Sequence, residues 1–85
     1  MDFGKRIRGL RKANGMTLDM LSAKSGMSKG YLSGIENGKV NPPVDRLVRK
    51  LARIFGQDEI GFLKLAYIDK LPVELQSFFR ERLAP

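Results

Sequence analysis

The sequence predicts an all-α fold of five or six short helices. Apolar residues recur every three or four positions in successive segments, which is the spacing of a buried helix face. Glycine or proline separates these segments, and no alternating apolar and polar pattern predicts a strand. The 85 residues, of which 42% are hydrophobic, can build one small core. We therefore expect a single helical unit.

The first helix is predicted from Phe3 and Ile7, which begin an apolar face with basic residues outside it. Asn14-Gly15 should end this helix, because glycine readily adopts the left-handed conformation that follows a helix. Gly4 and Gly9 each weaken it by about 1 kcal/mol relative to alanine. Helix one is therefore expected to depend on tertiary packing.

Helices two and three are predicted from their capping residues. Thr17 and Ser28 have hydroxyls that can accept hydrogen bonds from a first helical turn. Gly26 allows the chain to reverse between the two helices. Leu32 and Ile35 should face the core, which leaves the other face of helix three outward.

The second half of the chain contains three further predicted helices. Helix four follows the loop at residues 41–43 and carries the strongest amphipathic stripe before Gly56. Asp58 should cap helix five, which is apolar nearly all round between residues 60 and 68 and is therefore expected to be buried on two sides. Pro72 opens the last helix.

The charge of the chain is concentrated in its first two thirds. Residues 1–56 contain 12 basic and 4 acidic side chains, whereas residues 57–85 contain 4 basic and 5 acidic ones. The net charge is therefore +8 in the first part and −1 in the second. A polyanionic partner would meet the first part. Basic side chains most often only solvate helix faces, so charge alone does not identify that partner.

Several classes of function are excluded by the residue inventory. The chain has no cysteine and no histidine, so we expect no metal site, no cofactor, no thiol nucleophile and no imidazole base. Its acidic residues are scattered, with no pair on one predicted face of the basic region, and we predict no catalytic residues and no enzyme. No apolar run is long enough for a signal peptide or a membrane span, and we expect a cytoplasmic protein.

The segment from Met16 to Lys39, MTLDMLSAKSGMSKGYLSGIENGK, resembles the XRE helix-turn-helix family of Cro and lambda repressor. Asn41-Pro42 and the later stretch LVRKLARIFG extend the resemblance to about residues 3–68. It implies a compact five-helix, lambda-repressor-like DNA-binding domain, to which this chain adds a C-terminal helix. Members of the family are mostly dimeric transcription regulators, with helix two across the DNA backbone and helix three in the major groove.

The resemblance also implies which residues contact DNA. Base contacts fall at Lys29 and Ser33, with further base-contact positions at Ser28, Gly30 and Gly34. Phosphate contacts fall at Thr17, Tyr31, Asn37, Lys39 and Asn41. Ser28 and Tyr31 stand where family members contact either bases or phosphate, and Tyr31 could equally pack on the next helix.

Three positions of this segment, Gly30, Gly34 and Glu36, leave alternatives open. Gly30 and Gly34 stand where many relatives carry long side chains that read bases. The glycines either let the helix lie closer to the groove floor or simply weaken a helix whose surface is not adapted to base contacts. Specificity could then rest partly on DNA shape. Glu36 would be repelled by phosphates, and the resemblance implies a structural ion pair with Arg11; a solvated Glu36 is the alternative.

The sequence divides into a helix-turn-helix domain at residues 1–69 and a helical extension at residues 70–85. The helix-turn-helix itself spans about residues 17–37, with the recognition helix at about 28–37. The extension and the helix before it carry more apolar surface than a small core needs. Helix six could fold back on its own chain or form a homodimer. We expect a dimer interface at Phe62, Leu65, Ile68, Phe78, Phe79 and Leu83.

The sequence therefore predicts a sequence-specific regulator of transcription that binds double-stranded DNA. The simplest form is a repressor that binds a palindromic operator as a homodimer, with no membrane contact. The alternative is an antitoxin-like adaptor whose C-terminal helices bind a partner protein. The sequence indicates neither the base sequence of the operator nor the identity of an effector.

Overall fold

The computed structural model describes residues 2–83, the last of them by its backbone alone. Within that range the chain forms six α helices and no strand, which confirms the prediction of an all-helical chain. The helices are α1 (Asp2–Ala13), α2 (Leu18–Ser25), α3 (Lys29–Glu36), α4 (Asp45–Ile54), α5 (Glu59–Asp69) and α6 (Val73–Leu83). The longest has 12 residues, and none of the six could span a lipid bilayer.

One hydrophobic core joins the first five helices. Each of them contributes at least one buried apolar side chain, and the phenyl rings of Phe3 and Phe62 meet edge to face with their centroids 5.9 Å apart. Such aromatic pairs add stability beyond the burial of their area. The core residues are Phe3, Ile7, Leu21, Met27, Leu32, Ile35, Val48, Leu51, Ala52, Phe55, Phe62, Leu63 and Ala66.

Helix α1 is fixed at its beginning by the end of α5. Asp69 is buried, and its carboxylate accepts hydrogen bonds from the backbone N–H groups of Phe3 at 2.7 Å and Asp2 at 3.3 Å. A carboxylate here satisfies donors that the first turn of a helix cannot pair internally, and it interacts favourably with the helix dipole. The N-terminus of α1 is thus capped by Asp69, the last residue of α5.

Gly4 allows α1 to lie directly against the end of α3. A Cβ atom at Gly4 would overlap the carbonyl oxygen of Ile35 and come within 3.2 Å of the Glu36 Cα. At Gly9, by contrast, no atom would lie within 4 Å of a Cβ. The sequence indicated that both glycines only weaken the helix. For Gly4 that interpretation is incomplete, because the close helix contact requires it.

Helix α5 is less buried than its composition indicates. Ile60 and Tyr67 are each 50% exposed, while Phe62, Leu63 and Ala66 face the core. The expectation of burial on two sides is therefore wrong for part of the helix. The phenol of Tyr67 donates a hydrogen bond to Asp45 Oδ2 at 2.7 Å. This bond, with the negative charge of Asp45, raises the pKa of Tyr67 above its ordinary value of 10.0.

Helix α6 lies on the outside of the fold and packs against α5. None of its described side chains, Val73 to Arg82, is buried. Arg80 attaches it to the body, since its Nε lies 2.9 Å from Asp2 Oδ2 and its Nη2 lies 3.7 Å from Asp69 Oδ1. The helix therefore folds back on its own chain at Arg80, while Val73, Leu75 and Phe78 remain exposed.

Candidate nucleic-acid interface

Helices α2 and α3 are joined by a tight turn that side-chain hydroxyls hold in place. Gly26 has a φ of 75°, and its N–H donates to the Ser22 carbonyl at 2.9 Å, which closes α2. The Ser22 hydroxyl donates to the Met27 carbonyl at 2.6 Å, and the Ser25 hydroxyl accepts from the Met27 N–H at 3.1 Å. These bonds fix the angle between the two helices. Ser22 therefore connects α2 to the segment that follows the turn.

Both helices begin at the hydroxyl caps that the sequence predicts. Thr17 Oγ1 accepts a hydrogen bond from the Met20 N–H, and Ser28 Oγ accepts one from the Tyr31 N–H, each at 3.1 Å. In each case the oxygen serves as acceptor, so the hydroxyl proton is free to donate to an external acceptor. Helix N-termini also carry partial positive charge, which favours anions such as phosphate.

Helix α3 is anchored on its inner side by two apolar residues and an ion pair. Leu32 and Ile35 are buried in the core. Arg11 binds Glu36 through two contacts, Nε to Oε2 at 2.7 Å and Nη2 to Oε1 at 3.0 Å, and its Nη1 donates to the Met16 carbonyl at 2.8 Å. The Arg11 and Glu36 side chains are only 11% and 4% exposed.

The paired geometry explains why an acidic residue is tolerated at the end of α3. The hydrogen bond to Glu36 raises the pKa of Arg11, so the guanidinium stays charged and neutralises the carboxylate. Its third contact, to the Met16 carbonyl, ties the loop before α2 to the same arginine. Three segments of the chain therefore meet at Arg11.

The outer side of α3 carries the residues predicted to contact bases. Ser28, Lys29 and Gly30 are exposed, whereas Ser33 and Gly34 are half-buried. The positions predicted to contact phosphate are all exposed; these are Thr17, Tyr31, Asn37, Lys39 and Asn41. The fold thus places both sets at the N-caps of α2 and α3, on α3 itself and in the loop that follows α3.

Several of these residues also have partners within the chain. The Asn37 amide donates to the Ser33 carbonyl at 2.9 Å and to the Ser33 hydroxyl at 3.3 Å, so the two side chains orient each other. A Cβ at Gly34 would lie 3.3 Å from a methyl of Val40, whereas a Cβ at Gly30 would meet no atom within 4 Å. Gly34 therefore packs against the loop that follows α3, and of these two glycines only Gly30 has open space beside it.

The predicted dimer interface is divided by the fold into surface and core residues. Phe62 and Ile68 are both buried within the chain, and Phe62 packs on Phe3 in the core. Neither residue is therefore available on the surface of the protomer. Leu65 and Phe79 are half-buried, and Phe78 is exposed. The side chain of Leu83 lies outside the described residues.

The structure assigns roles to three residues that the sequence pattern did not single out, Asp19, Ser25 and Asp69. Asp19 lies beside Lys29, with its Oδ2 3.4 Å from Lys29 Nζ. Ser25 supports the turn, and Asp69 caps α1. None of them belongs to a local motif, and only the exposed acid Asp19 in a basic region gave any signal. No three acidic side chains in residues 2–83 come together as a metal ion would require.

Comparison with known proteins identifies relatives of this arrangement. Residues 7–61 match the helix-turn-helix family model HTH_3. The chain is 40% identical over 75 residues to "Uncharacterized HTH-type transcriptional regulator RghRB" of Bacillus subtilis (strain 168), a match that covers 87% of the chain and 54% of that protein. It is 34% identical over 70 residues to "HTH-type transcriptional repressor RghR" of the same organism, covering 81% and 52%.

A third relative matches over nearly the whole chain. "HTH-type transcriptional regulator SinR" of Bacillus licheniformis is 28% identical over 85 residues, which covers 95% of the chain and 77% of that protein. The chain thus spans about half the length of the two Bacillus subtilis relatives. No solved structure matches it.

Proposed function

Because the chain belongs to the XRE-type helix-turn-helix family, we propose that it is a sequence-specific regulator of transcription that binds double-stranded DNA. Helix α3 would enter the major groove, and α2 would cross the sugar-phosphate backbone. Residues 1–69 would form the DNA-binding domain, with a lambda-repressor-like arrangement of the first five helices. Residues 70–85 would form a C-terminal helical extension. Since its ligand is DNA, the protein would act in the cytoplasm.

One observation supports this proposal most strongly, which is the division of α3 into a fixed face and a free face. Leu32, Ile35 and the Arg11–Glu36 pair hold the inner side, while Lys29 remains exposed on the outer side. A helix about 10–12 Å across fits a major groove about 12 Å wide. Readout of bases requires such a rigidly held, polar surface.

The exposed residues have the chemistry for two kinds of contact. Lys29 can donate to the O6 and N7 atoms of guanine, and Ser33 can donate or accept. The free hydroxyl proton of Thr17 and the ammonium of Lys39 suit phosphate oxygens. Gly30 would let the backbone of α3 approach the groove floor. The net charge of +8 in residues 1–56 supplies the attraction to phosphates.

We propose further that the protein acts as a homodimer on a palindromic operator. Helix α3 has eight residues and is therefore about 12 Å long, which lets it reach only a few base pairs. A two-fold dimer reads two half-sites about 34 Å apart and gains affinity accordingly. Leu75, Phe78 and Phe79 on α6 provide an apolar surface outside the DNA-binding helices. Bound at a promoter, such a dimer would exclude polymerase and act as a repressor.

The same surface of α6 supports a second candidate function. Leu75 and Phe78 are exposed apolar residues on one short helix, a surface that a different protein could also cover. The protein would then be an adaptor of the antitoxin type, with DNA binding retained in the first domain. Sedimentation of the chain alone separates the two, because a homodimer needs no added partner.

The proposed function is tested by selection of bound duplexes from a random pool. We expect enrichment of an inverted repeat whose half-site centres lie one helical turn, about 10 base pairs, apart. The affinity should fall steeply with salt, since each phosphate contact contributes a slope of about 0.9 on logarithmic axes. A single-stranded pool of the same length is the control. Failure to retain any duplex at about 50 mM salt would refute the proposal.

A further inference from the structure

An ion pair joins the two helices of the helix-turn-helix on its exposed side. Lys29 Nζ lies 3.4 Å from Asp19 Oδ2, which links the first residue of α3 to the first turn of α2. The two side chains are 59% and 76% exposed, so an external ligand can reach both. Asp19 stands two residues after Thr17, and its negative charge therefore lies near a proposed phosphate contact.

We propose that Asp19 is a positioning residue that increases the sequence specificity of DNA binding by holding the ammonium group of Lys29. The inference rests on the proposed function and deepens it. An unrestrained lysine side chain is long and flexible and acts as a point charge for any nearby phosphate. Asp19 restricts where that charge can lie, over the first turn of α3.

The geometry of the ammonium group allows Asp19 and a base to be bound together. An ammonium has three N–H donors, and the contact with Asp19 occupies one of them. Two donors remain, and a guanine presents two acceptors, O6 and N7, in the major groove. On the cognate site Lys29 can therefore bind the base without leaving Asp19.

The contact between Asp19 and Lys29 affects binding to non-cognate DNA differently. Where no guanine is in reach, Lys29 can gain affinity by binding a phosphate instead. A phosphate and the Asp19 carboxylate repel each other, so we expect Lys29 to give up Asp19 when it does so. The carboxylate itself also opposes phosphates near α2. Asp19 therefore lowers affinity for non-cognate DNA more than affinity for the cognate site. Exposed ion pairs are weak, so the effect should be a few-fold.

The test compares Asp19→Asn with the unmodified protein on two duplexes of equal length, one recovered by selection and one of random sequence. Fluorescence anisotropy at several salt concentrations gives both affinities. We expect the variant to bind the random duplex about two- to five-fold more tightly. Its salt slope on the random duplex should steepen by up to about one as Lys29 gains a phosphate. Because the cognate affinity should change less, the ratio of cognate to random affinity should fall by up to about the same two- to five-fold.

Three further variants isolate the role of the pair. Asp19→Glu keeps the charge and should restore the ratio. Glu81→Gln makes the same change of net charge at an exposed site on α6 and should leave the ratio unaltered. In a Lys29→Met background, Asp19→Asn should no longer change the ratio. Thermal melts followed by circular dichroism verify that each variant is folded.

The outcomes distinguish this inference from the proposed function. If duplex is bound but Asp19→Asn shifts both affinities equally, Asp19 acts only through net charge and the inference is wrong. It is also wrong if Asp19→Asn changes the ratio by the same factor without Lys29. If the unmodified protein retains no duplex at all, the proposed function fails and the inference fails with it.

Discussion

Asp69 Oδ2 accepts a hydrogen bond from the backbone N–H of Phe3 at 2.7 Å, across 66 positions of the sequence. The end of α5 thereby caps the beginning of α1. Arg80 of α6 lies close to the same carboxylate, with Nη2 3.7 Å from Asp69 Oδ1. Helix α1 also carries Arg11, which binds Glu36 at the end of α3, so a series of contacts connects α5 and α6 through α1 to the proposed recognition helix.

The Asp69 cap predicts a loss of stability when its acceptor is removed. Asp69→Ala leaves the N–H groups of Asp2 and Phe3 without their acceptor, and Arg80 without one of its acidic neighbours. We expect a loss of about 1–3 kcal/mol in the free energy of unfolding, measured by urea denaturation. Glu81→Ala, which removes an exposed carboxylate from α6, is the control and should change stability by less than about 0.5 kcal/mol. Equal midpoints for both variants would contradict the assigned role of Asp69.

The two glycines of α1 predict effects of opposite sign. Gly4→Ala places a methyl group against the Ile35 carbonyl, so α1 and α3 must separate and stability should fall by about 1–3 kcal/mol. Gly9→Ala meets no neighbour and should raise stability by up to about 1 kcal/mol through helix propensity. Thermal unfolding of the two variants measures the difference. If both variants were stabilised, the close contact at Gly4 could not be correct.

The Arg11–Glu36 pair predicts non-additive effects. Arg11→Met or Glu36→Met alone leaves one charged group in a nearly closed site and should cost about 3 kcal/mol. The double variant removes both charges, so its loss should be smaller than the sum of the single losses by more than about 1 kcal/mol. Urea denaturation of all four proteins gives this coupling energy. Strict additivity would mean that the two side chains do not depend on each other.

The outer face of α3 predicts two classes of DNA-binding variant. Lys29→Ala or Ser33→Ala should cost about 1–3 kcal/mol on the selected duplex and relax the base preference. Lys39→Ala should weaken binding to all sequences alike and reduce the salt slope by about one. Mobility-shift titrations on selected and random duplexes compare them. Base readout by α3 would be excluded if Lys29→Ala and Lys39→Ala lost affinity equally on both duplexes.

The surface of α6 predicts a change in oligomeric state. Phe78 is 49% exposed, and the Arg82 guanidinium stacks 3.8 Å from its ring centroid. Phe78→Asp should therefore leave the protomer folded while it disrupts an apolar interface and yields monomers in analytical sedimentation. Val44→Asp, at an exposed apolar residue before α4, is the matched control and should stay dimeric. An unchanged mass for Phe78→Asp would exclude this interface.

Much of the local structure was predictable because its causes lie within a few residues. The caps Thr17, Ser28 and Asp58 start α2, α3 and α5, and Gly26 ends α2, as their side-chain chemistry indicates. The family was likewise recognisable from a continuous segment. These features depend on short-range hydrogen bonds and backbone preferences, which the order of residues specifies directly.

The partners of the apolar and charged residues were less predictable. The pattern identified Phe62 as apolar but did not distinguish a core position from an interface, and it indicated that Gly4 only weakens α1. The pairing of Lys29 with Asp19 was not predictable either, because an acidic residue in a basic region does not indicate which basic side chain lies beside it. Each of these depends on which helix lies opposite, and hence on the arrangement of the whole chain.

The sequence by itself therefore determined that the chain is helical, where α2, α3 and α5 begin, the basic character of the first 56 residues and the family of the fold. The tertiary structure alone decided that Asp69 caps α1, that Phe62 and Ile68 are buried while Phe78 is exposed, and that Asp19 lies beside Lys29. The physical reason is range. A helix cap acts over three residues, whereas these contacts join groups that only the packing of separate helices brings together.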